Sequence, residues 1–139
     1  MQNWIIFSIF SAVFAALVAI FGKIGIKEVD STLATSIRAI IMALFLIAVS
    51  ILLGKFTAFS SLIGKPLVFI ILSGIVGALS WLFYFLALKT GPASGVAAID
   101  RTSVVFVLIF AVLFLAEKLT IKSIIGAVFI ALGAILMVI

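Results

Sequence analysis

The chain has 139 residues, 68% of them hydrophobic and only 9% charged, with nine Lys/Arg against four Asp/Glu and a formal charge of +5. Soluble domains carry about 25% charged residues, and repeated apolar runs near 20 residues belong in a bilayer, so the chain reads as an all-α integral membrane protein. It contains no cysteine and no histidine, which excludes disulfides, thiolate chemistry, the usual general base and the commonest metal ligand. The bases are spread singly, as topology signals and membrane anchors rather than as a nucleic-acid patch. The acids are Glu28, Asp30, Asp100 and Glu117. With that set, no enzyme, cofactor or metal centre and no nucleic-acid partner is expected.

The first segment is predicted from Trp4 to about Ile26, and nothing in Trp4–Phe21 is charged. Met1-Gln2-Asn3 supplies no basic lead and the apolar run is long, so it reads as a retained span rather than a signal peptide. Ser11, Ala15, Ala19 and Lys23 fall four apart, three small residues and a base on one face. Two readings of Lys23 stand: an anchor snorkelling to the interface, or a cation at the end of a packed face. After the polar connection Lys27–Ser31, the second span is predicted over 32–53, with Ser31 or Thr32 as N-cap. Arg38 lies about 9 Å of rise past Thr32, deep enough to favour an interior-facing side chain. The connection 54–65 carries Lys55 and Lys65 around Phe56, Phe59, Leu62 and Ile63, a pattern that seeks the membrane surface.

Pro66 opens the third span, 66–88, at a position where proline is tolerated. Ser73, Gly77, Ser80, Trp81 and Tyr84 share one face of it, and the opposite side is aliphatic and Phe. Such a face either packs on another helix or lines a cavity; both uses draw on the same residue types. Lys89-Thr90-Gly91-Pro92 is a structural turn. A fourth span starting only at Arg101 would have 15 residues before Leu115, too few to cross. It is therefore predicted over 93–115, which places Asp100 and Arg101 inside the apolar layer. Adjacent on a helix, they point about 100° apart, so each needs another partner; Lys23 and Arg38 are the candidates for Asp100. Ala116–Thr120 is a tight turn containing Glu117, and Thr120 caps a fifth span, 121–139. Gly126, Gly133 and the Ala127/Ala131 pair mark that span as an association surface.

The stretches L-S-W-L-F-Y-F-L-A-L-K-T-G-P-A-S (79–94), I-D-R-T-S-V-V-F-V (99–107), L-F-L-A-E-K-L-T (113–120) and I-I-G-A-V-F-I-A-L-G-A-I-L (124–136) resemble the drug/metabolite transporter superfamily. Within it they resemble the EamA-like group, in its five-span bacterial and archaeal branch. Turns before the last helix usually read L-G-E in that family, and here Ala116 replaces the glycine. The first span has no acid, so the proton-coupled mechanism of the four-span multidrug exporters does not carry over. The resemblance implies a single domain over 1–139 that forms one half of an inverted-repeat, ten-helix transporter, completed by a second copy in the plasma membrane of a bacterium or archaeon.

The loop charges can be set against that expectation. Lys55, Lys65, Lys118 and Lys122 lie on one side, and Lys23, Lys27 and Lys89 rim the other, with Arg38 and Arg101 deeper. Such a balance fixes orientation weakly and suits dual topology in an antiparallel homodimer. The function the resemblance implies is export of small metabolites or drug-like solutes by alternating access at the dimer interface. Asp100 and Arg101 lead the candidate pathway residues, followed by Lys23, Arg38, Ser80, Trp81 and Tyr84; Gly91, Pro92 and Glu117 serve as turn residues. The competing readings are a membrane scaffold subunit that moves nothing and a lipid flippase component.

Overall fold

Hydrogen bonding within the chain follows the apolar runs closely. A computed structural model describes residues 3–139; Met1 and Gln2, part of the uncharged lead, lie outside them. The helices are α1 (Asn3–Gly25), α2 (Ser31–Leu52), α3 (Lys65–Thr90), α4 (Ala93–Asp100), α5 (Ser103–Leu115) and α6 (Ile121–Leu136). A 3₁₀ helix, Lys55–Leu62, connects α2 to α3. No described residue lies in a strand. Four stretches are long and apolar enough to cross a membrane: α1, α2, α3, and Ala93–Leu115 taken as one. Helix α6 is shorter, at 16 residues, about 24 Å of rise. Helical bonding runs on past it, with the Met137 and Ile139 N–H groups donating to the Gly133 and Ile135 carbonyls at 3.2 Å each.

The helix ends correct two sequence expectations. Neither Ser31 nor Thr32 caps α2; the Asp30 carboxylate accepts from the Leu33 N–H at 2.8 Å, an acceptor that meets an otherwise orphaned donor. Helix α3 is longer than its apolar run, and Pro66 sits within its first turn. Thr120 does cap α6: it accepts from the Ser123 N–H at 3.1 Å, while Ser123 Oγ accepts from the Thr120 N–H at 3.0 Å. The turn before it reverses direction at Ala116, which lies in the left-handed region at φ 53°, ψ 30°.

The fourth span is not one regular helix. Arg101 and Thr102 form a turn between α4 and α5, with φ/ψ of −66°/−16° and −65°/−14°. Here the bonding tightens from i−4 toward i−3. The Thr102 N–H donates to the Ile99 carbonyl at 2.9 Å, Val104 N–H to Arg101 at 3.2 Å and Val105 N–H to Thr102 at 2.9 Å. Thr102 Oγ1 also donates to the Ile99 carbonyl, at 2.6 Å. Threonine hydroxyls compete for nearby backbone carbonyls in this way, which the apolar pattern of 93–115 does not reveal.

The chain divides into two compact units, one of Met1–Lys23 with Thr90–Ile139 and the other of Ile24–Lys89. In the first, α6 packs on α4 and α5, and the buried residues are small: Ala19, Gly95, Ala98, Ala111, Ala127 and Ala134. Gly95 allows the closest approach, since a methyl group there would stand 3.3 Å from Pro92 Cγ and 3.7 Å from Val138 Cγ2. Close packing through small residues is the membrane solution, because lipid chains are as apolar as leucine and give helices no hydrophobic reason to associate. The association face of α6 is therefore divided: Ala127 and Ala134 pack inward, while Gly126 and Gly133 are exposed. In the second unit Ile26, Phe85 and Leu88 are buried, together with Ser31 and Thr35. Most large apolar side chains, including Phe7, Phe21, Phe45 and Phe69, are exposed, as a lipid-facing surface requires.

Candidate functional site

Arg38 lies in the second turn of α2 and is half-buried. Its guanidinium carbon stands 3.7 Å from the centre of the Trp81 ring and 5.4 Å from that of Phe85. At this separation a cation is attracted to the negative face of the indole, most strongly where water is excluded. The aromatic rings support one another. Trp81 meets Tyr84 edge-on, with centroids 5.6 Å apart and planes at 75°, and Phe85 lies 6.0 Å from Trp81 and 6.3 Å from Tyr84. A stacked guanidinium keeps its N–H donors around its edge. No hydrogen bond or ion pair to a described residue occupies them.

These groups stand beside an open groove of about 780 Å³ between α2 and α3. Arg38, Thr32, Thr35, Ser36 and Trp81 form its polar part, and Met42, Ala43, Leu46, Gly74, Gly77 and Ala78 belong to its apolar wall. The Thr35 and Ser36 hydroxyls donate to the Ser31 and Thr32 carbonyls at 2.7 and 3.0 Å. Among the described residues the Arg38 guanidinium has no acceptor, and it is the charged donor of the groove lining.

The structure thus brings Arg38, Trp81 and Tyr84 together within one unit. Tyr84 buttresses Trp81, and Ser80 is exposed and is not part of the groove wall. The aligned face of α3 was legible in outline, but the wall is set one step round, through Gly74, Gly77, Ala78 and Trp81. The signal for it was present as Gly74-x-x-x-Ala78 facing Thr35-x-x-x-Ala39-x-x-x-Ala43, small residues at i, i+4 on each helix.

Asp100 and Arg101 belong to the other unit, at the α4–α5 break. Asp100 is half-buried and Arg101 exposed. Among the described residues neither side chain has a hydrogen-bond or ion-pair partner, so the expected pairing of Asp100 with Lys23 is not found among them. Lys23 instead donates to the Gly91 carbonyl at 2.8 Å, which fixes the end of α1 to the turn before Pro92. Pro92 in turn forms the N-cap of α4 in extended geometry, and its carbonyl accepts from the Val96 N–H at 3.0 Å.

Lys89, expected as part of the turn before Pro92 and as a rim charge, also ties that turn to the α1–α2 connection. Its ammonium donates to the carbonyls of Ile26 at 2.7 Å, Val29 at 2.8 Å and Lys27 at 3.2 Å. That satisfies three acceptors of the α1–α2 connection with the three donors an ammonium has. Glu117 holds a turn position, its N–H donating to the Ala111 carbonyl at 3.2 Å. No cluster of described residues could hold a metal ion.

A protein of Sinorhizobium sp. described as an uncharacterized transporter in the cobO 3′ region is 42% identical over 136 residues, which cover 98% of this chain and 96% of that protein. No solved structure matches. The family described as EamA-like transporters matches residues 2–139. With several apolar helices of membrane length and nearly its whole length matched, the chain belongs to the EamA-like transporter family, as a half-size, multi-pass membrane member.

Proposed function

We propose that the protein exports small metabolites or drug-like solutes across the plasma membrane, working as an antiparallel homodimer of five-span subunits with alternating access between them. The observation that carries this reading is the α2–α3 groove. A half-buried Arg38 stacked on Trp81, inside an otherwise apolar span, is costly to place, and residues of this kind mark solute pathways. The fourth span adds a second sign. Backbone distortion at membrane depth is tolerated where it lines a cavity or is covered by protein, and broken helices of this kind bind solutes in other transporters. Asp100 and Arg101 at that break, without a partner among the described residues, fit a surface completed by a second copy or by the solute. The export direction and the bacterial or archaeal membrane rest on the family resemblance.

Purified protein in sealed liposomes tests the reading. Protein-dependent movement of a solute from a metabolite panel is the expected result, with candidates ranked beforehand by thermal stabilisation. Folded protein that moves no solute would mark a scaffold, and movement of labelled phospholipid alone would mark a flippase.

A further inference from the structure

Three features of the groove, taken together, restrict what it can hold. The first is charge: Arg38 is a permanent cation without a described anionic partner. The second is the division of polarity. The hydroxyls beside Arg38 are committed to backbone carbonyls, and the wall beyond it, through Met42, Ala43 and Leu46 on α2 and Gly74 and Ala78 on α3, is apolar. The third is length: from Arg38 to Leu46 is about 12 Å along the helix, room for a body of several carbons or one ring. Small residues on the α3 side keep that space open, and Trp81 offers a flat surface beside the cation.

We propose that the α2–α3 groove is a binding site for a soluble amphipathic organic anion, its carboxylate on the guanidinium edge of Arg38 and its apolar body along the Ala43–Gly74 wall. A carboxylate supplies two oxygens that match the planar N–H pair, while the Trp81 face holds the guanidinium plane. A neutral solute offers only uncharged acceptors, which meet those donors more weakly, and a cation is repelled. The proposal names the substrate class for the transporter function above and rests on it.

Binding is measured on the purified full-length protein in nanodiscs. The two tryptophans are Trp4 and Trp81, so the Trp4→Phe variant reports on Trp81 fluorescence alone. The probes are 3-phenylpropanoate, its neutral isostere 3-phenylpropanamide and the cation 3-phenylpropylammonium. The carboxylate is expected to change Trp81 emission saturably, the amide to bind about tenfold or more weakly, as loss of a charged hydrogen bond implies, and the ammonium not at all. Arg38→Gln should erase the preference for carboxylate over amide, and Arg38→Lys should keep part of it.

Equal binding of acid and amide, or a preference that survives Arg38→Gln, would overturn the proposal. So would a carboxylate response seen in phosphatidylcholine but lost in phosphatidylglycerol at saturating probe and high salt, which would give the site to an anionic lipid headgroup. A response that emerges only with Asp100→Asn would give Arg38 to an acid of the protein itself. The measurement is independent of flux: failed anion binding with intact transport of other solutes overturns this proposal alone. Anion binding without any transport overturns the proposed function and leaves the site standing.

Discussion

At the scale of single residues, the backbone and the ammonium groups make claims that can be measured. Ala116 sits at φ 53°, where an L-residue is crowded by its own Cβ and glycine is not. The family resemblance places glycine at this turn position. Ala116→Gly is therefore expected to stabilise the protein by about 1 kcal/mol, read as a higher unfolding midpoint in detergent; Ala116→Val should lower it. Lys89 makes the opposite claim. Replacing it with Met keeps the stem and removes the charge, leaving the Ile26, Lys27 and Val29 carbonyls without their shared donor. The expected loss is about 1–3 kcal/mol, whereas a lysine that merely snorkelled would cost nothing measurable on becoming Met. The sequence could not separate these cases, because a base next to a helix end has the same pattern whether its ammonium meets water or three carbonyls.

At the scale of elements, periodicity and length located nearly every helix, because a bilayer leaves the backbone few alternatives to the helix. What the pattern concealed lies where polar side chains reach the backbone. Asp30 displaced the expected cap of α2, and Thr102 drew the Ile99 carbonyl toward itself and divided the fourth span. The groove was half legible. Arg38, Trp81 and Tyr84 stood out as costly or aromatic residues in apolar surroundings, but the small residues that open space beside them resemble ordinary packing positions. The α4–α5 break gives the pathway its second test. Asp100→Asn keeps the shape and removes the charge, so that any basic partner the proposed assembly supplies would be left uncompensated, and Arg101→Gln does the converse. Each is expected to reduce transport by at least about tenfold, a barrier change of about 1.4 kcal/mol, with normal membrane insertion. Wild-type flux in both variants would assign the pair to anchoring at the membrane surface and leave the α2–α3 groove as the working part.

At the scale of the whole molecule, the expected design is a subunit whose pathway is finished by a second, inverted copy. The proposed five spans would place the termini on opposite sides of the membrane, and two copies would then reproduce an inverted repeat only by inserting in opposite senses. The basic residues permit this: four lysines at 55, 65, 118 and 122 face three at 23, 27 and 89, and so small a difference sets orientation weakly. Cysteines introduced into the 27–31 and 54–65 connections of one oriented population should label from opposite sides, since α2 between them is long and apolar enough to cross. Adding two or three lysines to the 54–65 connection and the turn at 116–120 should force a single orientation and abolish transport. The same number added around 27–30 and 89–91 should force the other orientation with the same loss. Each biased variant would still insert, since no span is altered. Coexpression of the two should then restore flux, because only the mixed population can form inverted pairs. Full activity from either biased variant alone would exclude the antiparallel requirement and leave a parallel dimer or a working monomer. The α2–α3 groove lies within a single unit of one chain, so solute binding there should persist in both biased variants even as flux is lost.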